Sequence, residues 1–196
     1  MNLANKLTIF RVLLVPLMVI IPFFNIQGKF LGIPYTYILI DLIFIIASIT
    51  DKLDGYIARS RKQITTFGKF LDPLADKILV LAAMMMLVEM SKLPSWIPII
   101  VITREFLVSG YRLVAVEKGG TVIAASVLGK LKTVTQMIAL IFAIIDLNAF
   151  GACFTQSLSG YDFIINLIVT IMMIVQTIAT IFSGIDYMKG IKELMK

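Results

Sequence analysis

Histidine is absent from this 196-residue chain, and cysteine occurs once, as Cys153. Without histidine the usual general base near neutral pH is missing, so any proton transfer falls to Asp, Glu, Lys or Tyr. A lone cysteine can form no internal disulfide and no CxxC metal site. Charge is scarce too: Asp, Glu, Lys and Arg make up only 15% of the residues, while 59% are hydrophobic and the mean hydropathy is +0.97. Apolar stretches this long and numerous exceed a water-soluble core and imply an integral membrane protein. The net charge of +6 then reads as membrane orientation and attraction to anionic headgroups rather than as a nucleic-acid surface.

Hydropathy and turn residues divide the chain into six apolar segments, roughly 5–25, 35–58, 68–90, 94–116, 125–148 and 158–188. The breaks carry Gly28, Gly32 and Pro34, the basic stretch 59–62, Lys92 and Pro94, Gly119 and Gly120, and Gly151 and Gly160. No repeat, low-complexity tract or linker marks a second domain. The expectation is an all-α integral membrane fold, six transmembrane helices in a single bundle covering 1–196. The polar opening (Asn2, Asn5, Lys6, Thr8, Arg11) runs into apolar sequence with no small-residue cleavage site, so the first segment is expected to be no cleaved signal peptide.

Lysine and arginine give the orientation. Lys6, Arg11, Arg59, Arg61, Lys62, Lys69, Lys118, Lys130, Lys132, Lys189, Lys192 and Lys196 fall at one set of ends, and only Lys29 and Lys92 at the other. By the positive-inside rule both termini are cytoplasmic. The last segment, about 46 Å long at ~1.5 Å per residue, is expected to project past the membrane.

One pattern stands out at the cytoplasmic side: Asp51-x2-Asp54-Gly55-x2-Ala58-Arg59-x8-Gly68-x3-Asp72-x3-Asp76. A membrane-embedded Asp costs several kcal/mol, ~2.5–3.5 by insertion scales at a helix centre. Four together need compensating cations. On helices, Asp51 and Asp54 lie about 60° apart, and Asp72 and Asp76 about 40° apart. A short loop over 59–67 makes the two helices antiparallel neighbours with the carboxylates at one depth. Oxygen ligands at this density suit Mg²⁺ or Mn²⁺, as a pair of ions ~3.5–4 Å apart. Gly55 and Gly68 let a ligand approach the backbone, and Arg59 offers a planar fork to a phosphate oxygen. The competing reading makes the aspartates helix-end charges paired with Lys52, Arg59, Lys69 and Lys77.

The pattern resembles the signature of the CDP-alcohol phosphotransferase family, with every fixed position present, and the likeness spans essentially the whole chain. The resemblance implies a six-helix membrane enzyme. Asp51, Asp54, Asp72 and Asp76 would hold two divalent ions at the pyrophosphate of a CDP-linked substrate. Asp76 would also deprotonate the incoming alcohol, and Gly55, Ala58, Arg59, Thr65 and Gly68 would form the CDP pocket. The opening through Asn5, Thr8 and Arg11 is similar to the family's first-helix motif, placing Asn5 and Thr8 at the nucleotide end of the lipid substrate. Asn5 is equally readable as a helix cap. Ala4 departs from the proline of many relatives, which removes no ligand. The resemblance further implies a homodimer.

A second cluster bears on the acceptor. Thr103-Arg104-Glu105 and Arg112 lie on the fourth segment, and Gly129-Lys130-Leu131-Lys132-Thr133 with Gln136 opens the fifth. Arg104 sits inside an apolar run and needs an anion or an aqueous cavity. The bland reading pairs it with Glu105 or Glu117. The functional one makes Arg104, Arg112, Lys130 and Lys132 a pocket for a phosphorylated alcohol. Both motifs resemble the subgroup that transfers a phosphatidyl group from CDP-diacylglycerol to glycerol 3-phosphate, releasing CMP. Inositol phosphate remains an alternative acceptor. A small cation-coupled transporter is the rival from another class, opposed by the lack of an inverted repeat and by charges gathered at one face rather than mid-membrane. A membrane scaffold leaves the aspartate spacing unexplained.

The remaining features are structural expectations. Met84–Met86, Met172 and Met173 read as core or lipid-facing filler, and Trp96, Tyr35 and Tyr37 as an outer aromatic belt. Asp146 and Asp162 flank an outer loop and read as solvated. Asp41, inside the second segment and far from the other aspartates, has no functional account.

Overall fold

The computed structural model describes residues 3–60, 66–117 and 127–194, with side chains over 5–50, 71, 74–110, 133–185 and 188. These residues form seven α-helices: α1 (Leu3–Ile20), α2 (Tyr35–Ser60), α3 (Thr66–Glu89), α4 (Trp96–Glu117), α5 (Val127–Ile145), the one-turn α6 (Ala152–Thr155) and α7 (Gly160–Leu194). Six of them match the apolar segments to within a few residues. Two helical stretches are long and apolar enough to cross a membrane, Asn5–Phe24 and Gly160–Ile185, and shorter apolar helices run over Tyr35–Thr50 and Thr133–Ile145. At ~1.5 Å per residue the 35-residue α7 is about 52 Å long, well beyond a ~30 Å hydrocarbon core.

Side-chain placement on α7 is that of a lipid-embedded helix. Asn166, Thr170, Gln176, Thr177, Thr180 and Ser183 are buried, while Ile164, Ile168, Ile171, Ile178, Ile181 and Phe182 are exposed. In water this arrangement would waste apolar surface. In lipid it is required, because polar groups find partners only within the protein. Thr177 and Thr180 donate to the carbonyls of Met173 and Gln176 one turn back, at 2.7 Å each.

The described chain divides into two compact units. In the first, α1 lies against both α2 and α3, burying a stripe of Asn5, Thr8, Arg11, Leu14, Val15 and Met18 at helical spacing. Phe44, Ala47, Ala75, Leu79 and Ala83 complete its core. A 3₁₀ turn over Ile21–Phe24 leads to a two-stranded antiparallel hairpin, β1 (Lys29–Phe30) and β2 (Ile33–Pro34), in the register Lys29↔Pro34 and Phe30↔Ile33. Leu31 and Gly32 turn it with φ of 51° and 85°. Gly28 precedes it at φ 109°, and a Cβ there would come within 2.6 Å of the Tyr35 ring, so only glycine fits.

The α3 helix ends without a glycine. Ser91 adopts φ 58°, its N–H bonds the Val88 carbonyl, and the Lys92 N–H reaches back to Leu87 at 2.9 Å. This Schellman pattern turns Lys92 inward. Its Nζ donates to the Ile144 carbonyl at the end of α5 (2.8 Å) and lies 3.7 Å from the centre of the Tyr37 ring. Asp146 is itself buried, at 4% exposure, which corrects its reading as a solvated loop residue: the attraction between its carboxylate and the Lys92 ammonium offsets part of the cost of removing both from water.

In the second unit α4 and α7 pack together. Asn166 of α7 pins the loop that carries α6, accepting from the Cys153 N–H (2.8 Å) and donating to the Ala149 carbonyl (3.0 Å). Thr170 accepts from the Gly151 N–H. The Trp96 ring meets Phe150 edge-on at 6.3 Å and stays half exposed, as an interfacial aromatic should.

Candidate active site

The aspartates fall on two helices of one unit. Asp51 and Asp54 lie in the C-terminal half of α2, and Asp72 and Asp76 in the N-terminal half of α3. Asp54 is six residues before the end of α2 and Asp72 six residues after the start of α3. The two helices pack together. Asp76 is half-buried between Ala75 and the buried Leu79 one turn on. The side chains of Asp51, Asp54, Asp72, Gly55, Ala58, Arg59 and Gly68 lie outside the described residues, as does Thr65 altogether. Among the described residues no group of three or more His, Cys, Asp or Glu is placed to hold a metal ion.

The helix that covers α2 and α3 brings polar side chains with it. Asn5, Thr8 and Arg11 recur every three residues on the buried stripe of α1, at 8%, 1% and 0% exposure. Burying three polar groups on a membrane helix is costly unless each has partners, and each makes polar interactions within the protein. Asn5 and Thr8 thus belong to the same unit as the aspartates. Arg11 joins them on the buried stripe, although in the sequence it carries no site role beyond its place in the first-helix motif and the positive-inside count. Its spacing from Asn5 and Thr8 was the available signal.

On α4, Arg104 is held rather than open. Its Nη1 pairs with Glu105 Oε1 at 2.8 Å, and its Nη2 donates to Ser183 Oγ of α7 at 2.6 Å. Glu105 is therefore the anion the sequence demanded for this residue. Ser183 and Gly184 were not readable as partners, since 79 residues separate Ser183 from Arg104. Arg112 lies about two turns further along α4, and Lys130 and Lys132 lie in the first turns of α5. Their side chains are outside the described residues. Gln136, a turn beyond Lys132, is buried.

Comparison with known proteins supplies the context. A family model described as CDP-alcohol phosphatidyltransferase matches residues 1–182. A CDP-diacylglycerol–glycerol-3-phosphate 3-phosphatidyltransferase of Bacillus subtilis (strain 168) is 42% identical over 180 residues, covering 83% of this chain and 93% of the relative. The Haemophilus influenzae protein of the same name is 38% identical over 195 residues, covering 97% and 94%. A probable phosphatidylglycerophosphate synthase of Mycobacterium tuberculosis (strain ATCC 25618 / H37Rv) is 34% identical over 186 residues, covering 95% and 79%.

Proposed function

The chain belongs to the CDP-alcohol phosphatidyltransferase family, and from that premise we propose that it transfers the phosphatidyl group of CDP-diacylglycerol to glycerol 3-phosphate, giving phosphatidylglycerophosphate and CMP. The observation that carries this is the complete aspartate pattern on two packed helices, α2 and α3, in a chain whose relatives are named for that transfer. The same names favour glycerol 3-phosphate over inositol phosphate as acceptor.

The donor set of Asp51, Asp54, Asp72 and Asp76 is all carboxylate oxygen, with no histidine and no second cysteine in the chain to compete. It fits Mg²⁺ or Mn²⁺, in one or two ions, which when bound neutralise charge on the pyrophosphate. Asp76 takes the proton of the acceptor hydroxyl. The freed oxygen attacks the phosphatidyl phosphorus, forming one P–O bond as the bond to CMP breaks. No serine or cysteine with an activating base is recognisable in the sequence, so the displacement is direct. Asn5, Thr8, Gly55, Ala58, Arg59, Thr65 and Gly68 hold the CDP end. Arg104, Arg112, Lys130 and Lys132 hold the acceptor's phosphate, where guanidinium forks and ammonium groups give charge-assisted hydrogen bonds. The enzyme spans the membrane six times as one catalytic domain over 1–196, its active site facing the cytoplasm, and works as a homodimer.

The test is CMP release from CDP-diacylglycerol in Mg²⁺ with a panel of alcohols, for the wild type and Asp76→Asn. Glycerol 3-phosphate alone is expected to support release, and the variant to lose on the order of 10²–10⁴ in rate, the usual contribution of a positioned base. Release with a different alcohol only would overturn the acceptor. No release with any alcohol would overturn the enzyme and revive the transporter reading.

A further inference from the structure

Arg104 is the one basic residue of the acceptor set whose side chain is described, and its surroundings are asymmetric. The Glu105 carboxylate at Nη1 is 22% exposed, whereas Ser183, at Nη2, is 1% exposed. Next to Ser183, Gly184 presents no side chain. A Cβ built there would lie 3.5 Å from Arg104 Cγ and 4.0 Å from its Cβ, so the arginine stem runs along the surface of α7 at van der Waals distance. The serine thus holds the guanidinium end of the side chain, while the stem passes Gly184 at ordinary contact distance. A hydroxyl in this position adds no charge: it fixes the direction of the guanidinium without neutralising it. Glu105, one residue along α4, adds the charge and stands on the more exposed side.

We infer that Ser183 of α7 is a positioning residue for Arg104, orienting its guanidinium for the acceptor's phosphate. This rests on the reading of Arg104 as a ligand of that phosphate. Arginine loses rotamer freedom when it binds, and a side chain already held in its bound direction loses less at the moment of binding. The consequence belongs to acceptor affinity rather than to the chemical step, because Ser183 touches the arginine and not the reacting atoms.

The experiment measures KM and kcat for glycerol 3-phosphate and KM for CDP-diacylglycerol on the full-length enzyme in mixed micelles with Mg²⁺. Ser183→Ala is expected to raise the glycerol 3-phosphate KM about ten-fold, the order of one hydrogen bond to a charged group, with kcat and the lipid KM within about two-fold. Ser183→Thr, which keeps the hydroxyl, should recover most of that loss. Gly184→Ala should change KM little, since an added methyl is in ordinary contact, while Gly184→Leu should raise it by displacing the stem. In an Arg104→Gln background Ser183→Ala should add nothing. The inference is overturned if Ser183→Ala leaves KM unchanged while Arg104→Gln raises it, or if Ser183→Ala is equally harmful without the arginine. An unchanged KM in Arg104→Gln itself instead removes the reading of Arg104 as a phosphate ligand, a separate failure. Should Ser183→Ala not fold, Gly184→Leu carries the same comparison with the hydroxyl intact.

Discussion

Several buried polar side chains tie neighbouring segments together. Asn166 is the clearest, since one amide both accepts from Cys153 and donates to Ala149. Replacing it with leucine strands the buried Cys153 N–H, at about 1–3 kcal/mol, while the Ala149 carbonyl keeps the Ala152 N–H. Asn166→Leu is therefore expected to lower the thermal unfolding midpoint in detergent by several degrees. It should also speed alkylation of Cys153, a clean readout because the chain has no other cysteine. Unchanged alkylation would mean that the loop is held by Thr170 alone. Asp41 Oδ1 and Gln176 Oε1 are buried and accept no hydrogen bond from the described residues, and nothing on α2 or α7 explains either.

At the scale of elements, the corner where α3 ends and α5 ends has a defined pH behaviour. Burial pushes the Lys92 amine down from 10.5 to about 8, and attraction to Asp146 recovers only part of the loss. Below about pH 8 the folded protein bears the full cost of a buried ammonium. Between about 8 and 10.5 the unfolded chain holds a proton there that the folded chain has released, so stability rises with pH across that window. The unfolding midpoint of the wild type, relative to Lys92→Met, should climb between about pH 8 and pH 10. A flat difference would show that Tyr37 and Asp146 hold the ammonium charged throughout. Only the tertiary structure could reveal this corner, because Ser91 takes a left-handed turn more often given to glycine, and because Ile144 and Asp146 lie over fifty residues from Lys92 in the chain.

For the whole molecule, the charge asymmetry along the sequence gives a direction across the membrane that labelling can check. Lys6, near the start of α1, and Lys29, on the β1–β2 hairpin, are both exposed. In a Cys153→Ser background, Lys6→Cys should react with a membrane-impermeant maleimide only from the cytoplasmic side, and Lys29→Cys only from the other. Labelling of both from one face would remove the orientation and, with it, the cytoplasmic active site.

The sequence by itself determined the membrane class, the six long helices and the family. Hydrophobic length, glycine and proline breaks and the aspartate spacing are local properties, and a bilayer leaves a chain of such segments little choice but helices. Asp51, Asp54, Asp72 and Asp76 were singled out by their spacing and Asn5 and Thr8 by the likeness of the opening to the family's first-helix motif; the fold adds that the first four lie on α2 and α3 and that Asn5 and Thr8 are buried on α1. Tertiary structure alone decided which polar residues turn inward and what they meet. Arg11 and Asp146 look like surface charges in the chain but are buried in the fold, and Arg104 finds Ser183 across 79 residues. The reason is physical: partners of buried polar groups are chosen by helix packing, which brings distant positions together, and no periodicity within one helix records the choice.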